Sequence, residues 1–180
     1  DTGELRAVRR VTAGGRGAPL PSLLLRRLRA GLFDGTALRS RRLVTYWTDR
    51  MDQGSLDRLC ATRPDVEFRQ TYGLSELDGV QVKSRARDSL WMKSGGQGLE
   101  TRVLDDILHI RSENRMLGYL NAPSPFVDGW YDTGDIVEQS DGYFKVVGRA
   151  TEIVNVGGLK ILPGEVERVA LLFPGVLRAK

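Results

Sequence analysis

The sequence is short of the residues that build cofactor cages. It has one cysteine, Cys60, and one histidine, His109. A single thiol forms no internal disulfide, and two such residues do not furnish a Cys/His zinc set. Cys60 follows "SLDRL" and reads as a small core residue on a helix, while His109 in "ILHIRS" reads as a strand residue. No apolar run approaches the length of a bilayer crossing, and the opening "DTGELRAVRR" lacks the apolar middle of a signal peptide. The expectation is a cytoplasmic location with no membrane partner. The dipeptide Gly-Lys is missing, which excludes a phosphate loop of the common type, and neither "AGGRGAP" nor "SGGQGLE" completes the dinucleotide-binding fingerprint. "GLSEL" at residues 73–77 falls short of a serine-hydrolase elbow because Leu77 stands where a glycine is required, and a triad would have to recruit His109 from mid-strand.

What is present is enough for a core: 180 residues, 41% hydrophobic, a length at which burial outweighs chain entropy. The net charge of +4 is unevenly spread, with ten arginines in residues 1–42 against Asp1, Glu4 and Asp34. That surplus raises nucleic-acid binding as a reading. Aromatic residues, which would stack on bases, are missing before Phe33, and Leu20, Leu24, Leu25, Leu28 and Leu32 recur at helical spacing with arginines between. An amphipathic helix with a solvated basic face accounts for the pattern, and no specific nucleic-acid partner is expected.

Three regions follow along the chain. Residues 1–79 alternate helix and strand: Pro21 opens the leucine-rich helix, "RRLVTYW" is a strand, "SLDRLCATR" is a helix entered from Asp52 and Ser55, and "DVEFRQ" is a strand. This order predicts an α/β layer with a mainly parallel sheet. Residues 80–148 read as short strands, "QVKS", "SLWMKS", "TRVLD", "ILHIRS" and "YFKVVG", separated by "SGGQG", "APSP" and "DG" turns, and predict an antiparallel barrel-like sheet. Residues 149–180 give the strand "EIVNV", a glycine turn, the strand "LKIL" and a helix begun by Pro163. Two short strands and a helix are too little for a core, so this region is expected to open a further small domain.

Chemistry concentrates in "RQTYGLSELDG". The end of a strand in an open α/β sheet faces the ligand crevice, and there Tyr72 offers a flat face, Ser75 a hydroxyl and Glu76 a hard oxygen ligand for Mg²⁺. A polar turn closing a strand would carry the same letters. Asp135 in "YDTGD", behind what reads as a Thr-Gly turn, can accept both vicinal hydroxyls of a ribose, and Arg149 adds a planar fork.

The combined order of "TYGLSE", the strand pair "ILHIRSENRMLGYLN", "GWYDTGD", "DGYFKVVGR" and "GGLKILPGEVE" resembles the later motifs of the adenylate-forming superfamily. That family includes acyl-CoA and aryl-CoA ligases, adenylation domains of non-ribosomal peptide synthetases and beetle-type luciferases. The resemblance covers about residues 42–170. It implies that residues 1–148 are the later part of the large adenylation domain and that 149–180 are the hinge and the start of the small carboxyl-terminal domain. It implies further that Thr71, Tyr72 and Gly73 line the nucleotide, with Tyr72 stacked on adenine. Ser75 would touch the α-phosphate, Glu76 would ligate Mg²⁺, Asp135 would hold the ribose hydroxyls and Arg149 would lie beside it. Tyr46, Trp47 and Thr48 would line the acid pocket, where Trp47 replaces a small residue; Trp47→Gly is expected to change the preferred acid. Thr151 maps onto the hinge, where many members carry Asp or Lys, and Gly157, Gly158 and Lys160 onto the channel for a pantetheine arm.

The implied cofactors are ATP, Mg²⁺ and coenzyme A or phosphopantetheine. The implied reaction joins a carboxylic acid (fatty, aryl or polyketide-type) to AMP and passes it to the thiol of CoA or of a carrier protein. The family's Ser/Thr/Gly-rich loop ending in lysine and the catalytic lysine of its small domain have no counterpart in the sequence. The expectation is therefore a piece of a larger enzyme, inactive by itself, with an amino-terminal portion carrying the phosphate loop. The alternatives are an amino-acid adenylation domain of a peptide synthetase, or a non-catalytic module that binds AMP or a carrier.

Overall fold

A computed structural model describes Leu24, residues 42–46, 51–77 and 80–170, together with Phe173, Gly175, Val176 and Ala179. Apart from Leu24, the leucine-rich helix lies outside the described residues, as do Trp47 and Thr48. The chain divides into two compact units: Asp1–Gly73 with Gly79–Lys93, and Leu74–Asp78 with Ser94–Lys180.

In the first unit β1 (Leu43–Tyr46) pairs with β2 (Glu67–Gln70) in parallel, with Val44 opposite Phe68 and Tyr46 opposite Gln70. Helix α1 (Gln53–Thr62) connects them, which is the crossover that a parallel pair requires. The capping reading holds: the Asp52 side chain accepts from the Ser55 backbone N–H at 2.8 Å and satisfies one of the free donors of the first turn. At the other end the Arg87 guanidinium donates to the carbonyls of Cys60, Arg63 and Val66, each at 2.8 Å. Carbonyls at a helix end lack internal partners, and a cation there also meets the negative end of the helix dipole. Leu24, Val44, Tyr46, Met51, Leu56, Leu59, Cys60, Val66 and Phe68 form one buried cluster. Cys60 is thus the core residue its position suggested, and burial pushes its thiol up. Strands β3 (Val82–Ser84) and β4 (Met92–Ser94) are neighbours.

The second unit carries an antiparallel sheet in the order β9 (Tyr143–Arg149), β8 (Trp130–Ser140), β6 (Ile107–Ser112), β5 (Leu99–Leu104), with β7 (Phe126–Val127) also on β8. Alternation sets its faces: Leu108, Ile110 and Ser112 are buried while Ile107, His109 and Arg111 are half-buried. His109 is a strand residue, facing Arg102 and Asp132 in register. The antiparallel β region expected after residue 80 is present, and with the parallel pair it makes the chain α/β with a large antiparallel component.

Two local readings differ from the structure. The Thr-Gly step of "YDTGD" is no turn between strands but lies inside the 11-residue β8. Gly134 there has φ +67°, a value that suits glycine, and its N–H bonds to Asp132 Oδ1 at 2.8 Å. The strand absorbs this kink by shifting register against β6 between Ile107 and His109 and against β9 between Ile136 and Val137. In "ILHIRSENRMLGYLN" only the first six residues form a strand, since the Met116 N–H bonds to the Glu76 carbonyl, not to a neighbouring strand.

Beyond β9 a 3-10 turn (Ala150–Glu152) leads to the hairpin β10 (Val154–Val156) and β11 (Leu159–Ile161), then to α2 (Pro163–Ala170). Glu152 therefore belongs to the turn and not to the strand. Gly157 and Gly158 join the hairpin with φ +57° and +87°, the positive pair that a two-residue turn of matching twist demands.

Candidate functional site

Thr71, Tyr72 and Gly73 follow β2 in the first unit. The Thr71 N–H and hydroxyl both donate to the Tyr46 carbonyl, at 2.9 and 3.2 Å, so the ends of the two parallel strands are tied together. The Tyr46 ring is 1% exposed within the core cluster, and burial raises its hydroxyl well above the ordinary range. Tyr72 forms an antiparallel bridge with Val80, closing the loop between them with a 3.1 Å bond from Val80 N–H to the Tyr72 carbonyl.

The second unit holds Ser75, Glu76, Asp135 and Arg149. Ser75 is exposed on the turn that carries half-buried Glu76, and this turn is closed by a bond from Leu77 N–H to the Leu74 carbonyl at 3.0 Å. The Tyr119 hydroxyl donates to Glu76 Oε1 at 2.6 Å. That bond holds the Glu76 carboxyl below its ordinary value; partial burial opposes it, and the hydroxyl of Tyr131 and the charge of Arg149 add to it. Tyr131 is pushed up to about 12 by burial and by the Glu76 carboxylate.

Asp135 is 5% exposed, opposite Arg149 in the β8–β9 register, and Arg149 Nε donates to its Oδ1 at 3.1 Å. Thr133 places it. The Thr133 hydroxyl donates to the Leu108 carbonyl at 2.7 Å while accepting from the Asp135 N–H at 3.1 Å, which locks the kinked stretch against β6. The Arg149 side chain is 55% exposed, so the pair has one buried and one solvent-facing member. Glu76, distant in sequence, lies in the same unit as the Asp135–Arg149 pair.

Thr151 is exposed in the 3-10 turn directly after Arg149. Gly157, Gly158 and Lys160 lie on the hairpin beyond it; a Cβ at either glycine would meet nothing within 4 Å, and Lys160 is exposed opposite Asn155. Tyr119 and Tyr131 are the site residues that the sequence reading missed. Both sit inside quoted motifs, but a tyrosine in such a stretch reads equally well as packing.

A set of three or more His, Cys, Asp or Glu side chains able to hold a metal does not occur among the described residues, and no helix among them is long and apolar enough to cross a membrane. A single ionised, half-buried carboxylate such as Glu76 suits Mg²⁺, which takes one or two carboxylates together with phosphate oxygens and water.

No family model matches the chain. It is 32% identical over 171 residues to the medium/long-chain-fatty-acid–[acyl-carrier-protein] ligase FadD10 of Mycobacterium tuberculosis, an alignment covering 78% of this chain and 31% of that protein. It is 43% identical over 77 residues to the fatty acid–[acyl-carrier-protein] ligase MmaC of Mycobacterium marinum, covering 40% of this chain and 14% of the relative. The chain spans about a third of the length of FadD10. Among solved structures, wild-type E. coli MenE with a bound analogue of OSB-AMS superposes with TM-score 0.67 at 25% identity, covering 95% of this chain and 38% of MenE. The anthranilate CoA ligase AuaEII in complex with anthranoyl-AMP shares the fold at TM-score 0.79 and 22% identity, covering 97% of this chain and 37% of AuaEII. With the motif order, the β8–β9 site and these relatives in agreement, the chain belongs to the adenylate-forming superfamily.

Proposed function

We propose that this chain is the later part of an ATP-dependent acid–thiol ligase. In the complete enzyme a carboxylate oxygen attacks the α-phosphorus of ATP and expels pyrophosphate, giving an acyl-adenylate; a thiol then attacks the acyl carbon and expels AMP. The observation that carries this reading is the bond from Arg149 Nε to Asp135 Oδ1 at 3.1 Å across the β8–β9 register, in the same unit as the turn that carries Glu76.

Asp135 accepts the two ribose hydroxyls, Arg149 orients it and contributes positive charge, and Ser75 donates to an α-phosphate oxygen. For Thr71, Tyr72 and Gly73 the resemblance implies a nucleotide role, and for Tyr46, Trp47 and Thr48 a role toward the acid. Glu76 would hold Mg²⁺, which supplies neutralisation of phosphate charge when bound. Thr151 is the pivot of the small domain, and Gly157, Gly158 and Lys160 flank the path of a pantetheine arm, since bare glycine backbone permits close approach.

The acid is fatty, aryl or polyketide-type, and the acceptor thiol belongs to CoA or to a carrier protein. The relative FadD10, named for transfer of medium- and long-chain fatty acids to an acyl carrier protein, favours the fatty and carrier options. A cytoplasmic location, where ATP is supplied, is part of the same proposal.

Pyrophosphate exchange tests the proposal. The chain is combined with an amino-terminal portion that carries a phosphate loop and is screened against fatty, aryl and amino acids. Acid-dependent exchange is expected for one of the first two classes. Exchange driven by amino acids supports a peptide-synthetase domain, and binding of AMP or carrier with no exchange for any acid supports a non-catalytic module; either result refutes the proposal.

A further inference from the structure

The segment 116–120 carries Tyr119 between two leucines that have no cover: Leu117 and Leu120 are 104% and 101% exposed. Tyr119 itself is 48% exposed. Beyond half-buried Met116, apolar burial therefore does not anchor this segment. It is tied instead to one residue 43 positions earlier, by the Met116 N–H on the Glu76 carbonyl at 3.0 Å and by the Tyr119 hydroxyl on Glu76 Oε1 at 2.6 Å. A tyrosine that served packing would bury its ring; this one spends its hydroxyl on a carboxylate and leaves much of its ring in water.

We infer that Tyr119 is a positioning residue for Glu76: its hydroxyl fixes the carboxylate on one oxygen and leaves lone pairs of that group oriented for a divalent cation. The inference rests on the proposed role of Glu76 as the metal ligand. An ionised carboxylate offers about four acceptor positions, so a phenol on one of them restricts the side-chain rotamer without using up its capacity. Partners that orient a metal-binding carboxylate affect metal affinity although they never touch the ion. Tyr131, on β8 in the same unit, adds in the same direction to the lowering of the Glu76 carboxyl, with a smaller effect than Tyr119.

The geometry separates this role from a structural one. An exposed hydrogen bond contributes little to folding, so loss of the hydroxyl should leave stability alone and change cation binding. The test uses the complete enzyme with a non-hydrolysable ATP analogue, Mn²⁺ in place of Mg²⁺, and electron paramagnetic resonance to count bound metal. Tyr119→Phe is expected to weaken Mn²⁺ binding about 10-fold to 100-fold, with metal-free affinity for the analogue and the thermal midpoint unchanged. Tyr131→Phe should give a smaller loss. Leu117→Ala, which alters the same segment without touching the hydrogen bond, should bind Mn²⁺ as the wild type does. Wild-type Mn²⁺ affinity in Tyr119→Phe, beside clear loss in Glu76→Gln, would overturn the positioning role while leaving Glu76 as the ligand. Wild-type affinity in Glu76→Gln as well would overturn both.

Discussion

Thr133→Val is the most informative single substitution outside the ligand-facing residues, because it keeps the shape of the side chain and removes only the hydroxyl. That hydroxyl serves two buried backbone groups at once, the Leu108 carbonyl at 2.7 Å and the Asp135 N–H at 3.1 Å. Leu108 is 1% exposed and Asp135 5%, so water does not replace either bond. Leaving a buried polar group unsatisfied costs about 1–3 kcal/mol. The carbonyl keeps a second lone pair and belongs at the low end. Together they predict a loss of about 2–4 kcal/mol. Urea unfolding followed by tryptophan fluorescence would read this as a midpoint lower by roughly 1–2 M, for a slope of about 2 kcal/mol/M, with the slope unchanged. Thr133→Ser, which retains the hydroxyl, should lose less than half as much. A Val variant within about 0.5 kcal/mol of wild type, or a Ser variant as damaged as Val, would show that the two bonds do not hold the kink of β8.

Arg87→Met keeps an unbranched stem but releases the three carbonyls of Cys60, Arg63 and Val66; a loss of about 2–3 kcal/mol in the same urea assay is expected, given the charged donor and its partial exposure. The Asp65 carboxyl, hydrogen-bonded by Arg63, is lowered from 3.8 to about 2. Its contribution is complete above pH about 4 and is lost as the pH falls toward 2, so the stability difference between wild type and Asp65→Asn, measured by thermal melts, should shrink across that window. Asp135→Ala should weaken AMP binding about 10-fold to 100-fold by calorimetry in the complete enzyme, the loss expected for hydrogen bonds to a charged acceptor.

Much of the fold was legible because local chemistry and tertiary context agree. Asp52 and Ser55 announced the start of α1, and the alternation in "ILHIRS" announced a half-buried strand. Cys60 read as core because an isolated thiol beside Leu56 and Leu59 has little else to do. The reading failed where one residue can serve two backbones. Thr-Gly in "YDTGD" is good turn chemistry, and it became the kink of a long strand only because β6 and β9 pair on both sides of it. The "MLGYL" stretch has strand-like composition, yet its Met116 N–H goes to the Glu76 carbonyl and not to a strand. Candidate residues were visible as motif letters, but their partners were not. Tyr119 and Tyr131 are separated from Glu76 by more than forty residues, and no spacing rule connects them.

The sequence by itself determined the α/β start, the antiparallel middle and the order of polar residues whose types suit a nucleotide. Propensity, capping and period-two alternation act within a few residues and leave their record in the letters. Only the tertiary structure decided that β8 runs unbroken through Gly134, that Thr133 clamps Asp135 to β6, and that Tyr119 holds Glu76. These facts depend on hydrogen bonds between distant segments, whose geometry exists only once the sheet has closed around them.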